Sequence, residues 1–213
     1  MASAAVRRLA LGDWNRVVRD PLDLMRLAFL AGAVVFVSRG DAAGAFNLLL
    51  AFAVLVVARL ANLPRLYDLA LIGALSLTQG GEALGLYDQW APYDRVVHFL
   101  VPMVASQVVY LCLARIEVLP DPQEDTLRRH EVGMFVVTFA LGLSIGGLWE
   151  IFEWFSDGVF GSDLSQGNVD TVGDLIADAA GSFVGGLLMV LWAERGWGSV
   201  RRVPGRQEED TSS

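Results

Sequence analysis

The sequence predicts an all-α, polytopic membrane protein with six transmembrane helices and both termini in the cytoplasm. Three observations carry this expectation. The 213-residue chain is 54% hydrophobic, with a mean hydropathy of +0.47, above what soluble domains usually show. Its apolar residues come in six long blocks rather than at amphipathic spacing. All 16 basic residues are arginines, and all but Arg39 and Arg95 fall at the termini or in alternate connections. Positive residues are retained in the cytoplasm, so that partition orients the bundle.

Each block is about the length a bilayer requires. The first, 22–38, has Asp23 and Arg26 at its start and is the weakest. The second, 42–59, holds Asn47 as its one strongly polar residue at depth. The third, 66–84, becomes polar at its outer end with Thr78, Gln79 and Glu82. The fourth, 96–115, contains His98, Pro102 and Cys112, and Asp94 lies just before it. The fifth, 131–154, ends in Glu150 and Glu153, and the sixth, 172–193, opens with Asp174 and Asp178. The short connections leave room for one bundle, 22–193, and no separate soluble domain. The first two blocks bring no buried acid, which predicts that blocks three to six form the core and the site.

The flanks read differently. In 1–21, apolar positions alternate with Arg7, Arg8, Arg16 and Arg19. Such a segment suits either a helix lying on the inner leaflet or a flexible positive-inside tail. The stretch 194–213, Arg-rich and then acidic, reads as a disordered cytoplasmic tail. No cleavable signal or lipidation motif is evident. Cys112 lies within an apolar block as a small packing residue, with no thiolate metal site to join. His130 belongs to a charged cytoplasmic loop with Arg128, Arg129 and Glu131.

The formal net charge is −8, and it is almost wholly a property of the outer face. Eleven of the 24 acids share that side with only Arg39 and Arg95. The balance excludes nucleic acid as a partner and favours cations.

Spacing concentrates these acids. Asp170, Asp174, Asp178, Gly181 and Gly185 advance by three or four residues and share a helical face, as do Gly142, Gly146, Glu150 and Glu153. Small residues four apart let membrane helices approach closely. The sequence therefore predicts that blocks five and six cross at their glycines and splay outward around a cavity. Asp94 and His98 are four apart, one turn before Pro102, which frees the carbonyl of residue 98. From Asp178 to Glu194 there are 15 uncharged residues, about 22 Å of helix against a hydrocarbon core of about 30 Å. Ionisable groups at such depth mark functional sites.

Simpler roles exist for each residue. Asp94 and Asp170 can serve as helix N-caps, Glu153 and Asp157 as solvated interfacial groups, and His98 as a packing histidine. Trp90, Trp149, Trp154 and Trp192 suit an aromatic belt. Electroneutrality argues for more. Five or more neighbouring carboxylates cannot all pair with Arg39 and Arg95, so they need a bound cation or protonation.

The strings Tyr93-Asp94-Arg95-Val96-Val97-His98-Phe99, Gly147-Leu148-Trp149-Glu150-Ile151-Phe152-Glu153-Trp154 and Asp170-Thr171-Val172-Gly173-Asp174-Leu175-Ile176-Ala177-Asp178 resemble the signature of the YjdF-type bacterial inner-membrane proteins, from about Leu66 to Trp192. The resemblance implies a multi-pass protein of the bacterial plasma membrane and no particular activity. A more distant similarity is to the VanZ-like proteins. There an acid–basic pair precedes a His, followed by Glu–x–x–Gln and by an Asp with Asn four residues on. This chain has Glu153 in place of that Gln and Asp178 in place of that Asn, and both changes add carboxylate.

The leading expectation is a divalent cation held by His98, Glu150, Glu153, Asp174 and Asp178, with Glu82 or Asp94 as general base or outer support. Such a cation could activate water against a lipid or cell-envelope substrate at the outer leaflet. A structural or accessory membrane protein is the alternative. A proton or cation relay ranks third, because below Asp178 and Glu150 the helices read as continuously apolar.

Overall fold

The computed structural model describes residues 23–61, 63–123, 127–160 and 167–195. The 1–21 segment and the 194–213 tail beyond Arg195 lie outside the described residues. Within them the chain is all helical: α1 (Leu24–Ser38), α2 (Ala42–Leu60), α3 (Arg65–Leu84), α4 (Leu86–Gln89), α5 (Tyr93–Arg115), α6 (His130–Phe160) and α7 (Asn168–Glu194). Three of these are long and apolar enough to cross a membrane, over Tyr93–Arg115, His130–Val159 and Asn168–Glu194. The first two helices are apolar but shorter.

Turn chemistry sets the boundaries. Gly40, at φ 78°, closes the α1–α2 turn, and the Asp41 carboxylate accepts the Gly44 N–H at 2.8 Å to cap α2. Gly85, at φ 63°, ends α3 in the left-handed conformation that glycine adopts without a Cβ penalty. The single turn α4 follows, which the hydrophobic pattern did not predict as a separate element.

Three expected boundaries move. The sixth block starts four residues earlier than its apolar run, with Gly167 as N-cap, and Pro92 precedes α5 in the same role. Asp170 and Asp94 are therefore first-turn residues, where the helix dipole favours a carboxylate, and not caps. The fifth helix runs to Phe160, so Glu150 and Glu153 lie inside it and not at its end.

Helix α7 packs against both α5 and α6, and α5 against α3. The buried core also takes in Phe29 of α1 and Ala51, Leu55 and Ala58 of α2, so it is not confined to blocks three to six as expected. The α1–α2 hairpin joins this core through α3, and its Leu55 and Ala58 are buried. Exposed positions are overwhelmingly apolar, among them Val34, Val57, Leu148, Ile151, Ile176 and Phe183. That pattern is what a lipid solvent selects and water does not.

The glycines act differently from expectation. Gly142 and Gly146 of α6 do face α7, where an added Cβ would strike Ser182 and the Asp178 carboxylate. Gly181 and Gly185 of α7 instead face the backbone of α5 at Phe99 and Met103. The α7 helix thus uses its two small faces on two different neighbours, on either side of Pro102.

The first block also departs from the expectation that it brings no buried acid. Asp23 and Arg26 are buried, and the Arg26 guanidinium is paired with both Asp23 and Asp68 of α3. The charges are tolerated there because each compensates the other. This triad lies at the end of the bundle where Tyr67 packs edge-on against Trp192, with ring centroids 4.8 Å apart.

Candidate functional site

At the opposite end, the first turns of α5 and α7 meet the last turns of α6. Asp94 and His98 share one face of α5, Asp174 and Asp178 one face of α7, and Glu150 reaches in from α6. His98 is at the centre. Its Nδ1 lies 3.1 Å from Asp178 Oδ1 and 3.7 Å from Glu150 Oε1, and its Nε2 lies 3.6 Å from Asp94 Oδ1. Two groups of ligand atoms result, each within 4.8 Å throughout: Asp94, His98 and Asp174, and His98, Glu150 and Asp178.

Burial is nearly complete for Asp178 (0% exposed), Asp174 (2%), His98 (6%) and Glu150 (7%), while Asp94 is half-buried. The helix packing explains how α7 brings Asp178 so close to α6. Gly146 has no side chain, and Asp178 occupies the space a Cβ would take. Glu150 is hydrogen-bonded to the Thr171 side chain. Glu150 Oε1, Asp174 Oδ1 and Asp178 Oδ2 are nonetheless buried without a hydrogen-bond partner among the described residues. An unpaired buried oxygen is costly, more so when charged.

Glu82 and Glu153 lie outside both groups. Glu153 accepts a hydrogen bond from the Trp149 indole at 2.7 Å on an exposed face, and Glu82 is itself exposed. Both stand near Tyr87 of α4. Burial first, then Asp94, Tyr93, Glu82 and Glu153, raise that phenol above its ordinary range. Tyr87 stacks edge-on against Tyr93, at 5.0 Å, and Tyr93 donates its hydroxyl to the Leu77 carbonyl at 2.7 Å across the side-chain-free Gly81. These contacts fix α3 and α4 against the start of α5. Arg95 is exposed and its guanidinium lies along Gly173.

Thr171 carried no signal in the sequence, because Glu150 is distant along the chain, and neither did Tyr87, which lies in a connection between apolar blocks. The expectation of continuously apolar helices below the cluster also needs correction. Ser182, Ser106 and Thr138 are fully buried, Gln107 nearly so, and Ser182 Oγ and Thr138 Oγ1 have no partner among the described residues. Single small hydroxyl residues hardly interrupt an apolar run, yet they leave polar atoms in the middle of the bundle.

Chemically, the arrangement gathers one imidazole and four carboxylates, and one imidazolium could balance only one of them. Comparison with known proteins adds a family but no activity. No curated protein and no solved structure matches the chain. One family model does, over residues 22–195, in agreement with the resemblance to the uncharacterised YjdF-type proteins. The chain belongs to the family described as Predicted membrane protein (DUF2238).

Proposed function

We propose that this membrane protein binds a divalent cation among α5, α6 and α7 and uses it in chemistry on a membrane or cell-envelope substrate. The observation that carries the reading is the set of unpartnered, buried oxygens on Glu150, Asp174 and Asp178 around a single imidazole. A hard or borderline divalent cation neutralises two charges and takes oxygen and nitrogen donors together. Bound there, it would act as a Lewis acid and lower the pKa of a bound water. Asp94, at the edge of the cluster, could support the ion, and Glu82, further out on the exposed side, could accept a proton.

The same reading includes six spans with both termini in the cytoplasm of a bacterial plasma membrane, supported by the arginine partition. A reporter active only outside the cytoplasm, fused after Ser213, should be silent. For the cation, detergent-purified protein should retain or take up one or more divalent ions per chain, and His98→Gln should abolish this. Wild-type protein that binds none of Mn2+, Zn2+, Mg2+ or Ca2+ would remove the reading.

A second reading, a proton or cation relay, draws on the buried Ser182, Thr138, Ser106 and Gln107 beneath Asp178. Proteoliposomes should then show cation-driven proton flux that Ser182→Ala reduces, and tight liposomes without flux would leave the first reading alone.

A further inference from the structure

The two nitrogens of His98 are not equivalent. Nδ1 is within hydrogen-bond distance of Asp178 Oδ1, at 3.1 Å. An ionised carboxylate can only accept, so the ring hydrogen belongs on Nδ1 and the lone pair on Nε2. That lone pair faces Asp94, 3.6 Å away, and Asp174 supplies the third atom of a group no more than 4.8 Å across. Asp174 is 2% exposed, and its Oδ1 has no partner among the described residues. A ring nitrogen with two carboxylates leaves coordination positions open, as sites that exchange ligands do.

The opening lies toward Asp94, the half-buried member of the group. Arg95 stands there. Its guanidinium runs along α7 at Gly173, where an added Cβ would come within 3.3 Å of Nε, and Asp174 is the next residue. A divalent cation between two carboxylates is locally neutral, and the guanidinium adds positive charge at the opening.

Resting on the cation reading above, we infer that the ion sits on the Nε2 side of His98 between Asp94 and Asp174, and that a phosphate-type oxyanion completes its coordination while Arg95 holds it. A phosphomonoester offers oxygens to the metal and to a guanidinium fork at once. Asp178 is then a positioning residue that acts through the imidazole. Glu150, held by Thr171, lies on the Nδ1 side of the ring.

The test uses full-length protein in detergent, Mn2+ counted by paramagnetic resonance, and labelled inorganic phosphate. Wild type should bind one Mn2+ per chain, and phosphate only when Mn2+ is present. Asp174→Asn should lose both. Asp178→Asn should keep one Mn2+ with affinity lowered about 10- to 100-fold. Arg95→Gln should keep Mn2+, which also certifies its fold, and weaken phosphate roughly tenfold or more.

Phosphate binding unchanged in Arg95→Gln, or absent from Mn2+-loaded wild type, overturns the inference. So does an Asp94→Asn protein that keeps Mn2+ when Asp178→Asn has lost it. Wild type that takes up no divalent cation defeats the underlying reading instead. Nanodiscs containing phosphatidic acid separate the sources: competition well below the inorganic phosphate concentration identifies a lipid phosphate, and equal potency a free one.

Discussion

Two groups of charged side chains are buried at opposite ends of this bundle, and they meet the same physical problem differently. Near the start of α3, Arg26 stands between Asp23 and Asp68, so each buried carboxylate has a guanidinium against it. Around His98, four carboxylates share one imidazole, and three of them keep a buried oxygen without a partner among the described residues. Taking charges out of water is expensive in both places. The first group meets the cost within the chain and ties α1 to α3. The second leaves it unmet, which a folded protein tolerates where something else binds. Burial of charge alone therefore does not mark a candidate site; the local imbalance of charge is what singles this cluster out.

The largest expected effect breaks the balanced group. Arg26→Met leaves two buried carboxylates facing each other, and removal of one partner from a buried pair costs about 3–5 kcal/mol. Thermal unfolding in detergent should show this loss, with Mn2+ affinity of the surviving folded fraction unchanged. A neutral outcome would mean that the two ends are not different in kind.

The opposite sign is expected at the other end. Asp178→Asn is isosteric and removes one charge from a repelling set, so the metal-free protein should be no less stable than wild type. What it should lose is stabilisation by the ion, which for wild type amounts to about 2.7 kcal/mol at a hundredfold excess over Kd. Paired melts with and without Mn2+ check this. A strongly destabilised metal-free Asp178→Asn protein would show instead that the cluster is a structural network.

These contrasts also show what the sequence could carry. The common end and shared faces of Asp94 with His98, and of Asp174 with Asp178, are legible because four-residue steps drift only about 40° around a helix. Glu153 is harder to place. Its three-residue step from Glu150 turns it about 60° the other way, and the Trp149 indole holds it on the exposed face. The pairing of Arg26 with Asp68 spans 42 residues, which no periodicity reports. The glycine stripes were visible, but not which neighbour each would meet, since that depends on how three helices divide the two faces of α7.

Gly146→Ala offers a middle-sized test of that packing. The new methyl would collide with the Asp178 carboxylate, and overpacking of this kind costs about 1–3 kcal/mol. Mn2+ affinity should fall alongside stability, because Asp178 can no longer hold the His98 ring. Gly147→Ala is the control, since nothing lies within 4 Å of its added Cβ, and it should change neither quantity. Equal effects from both would mean that α6 does not shape the site through Gly146.

The smallest effect should come from the carboxylates at the rim. Glu82 is exposed, and Glu153 is half-buried but directed to the Trp149 indole, so neither contributes an atom to the two ligand groups. Their influence on a cation at His98 is then through-space Coulomb attraction alone. Screening by water and salt keeps such interactions of partly or fully exposed groups to about 1 kcal/mol or less. Glu82→Gln and Glu153→Gln should each shift Mn2+ affinity by no more than about threefold, and raising the ionic strength should shrink that shift further. The salt dependence is the discriminating part: a ligand lost from the coordination sphere lowers affinity at every salt concentration, whereas a distant charge fades as salt is added. A large, salt-independent loss in Glu153→Gln would enlarge the unbalanced group to include α6's outer turn and would draw the boundary between the two kinds of buried charge in a different place.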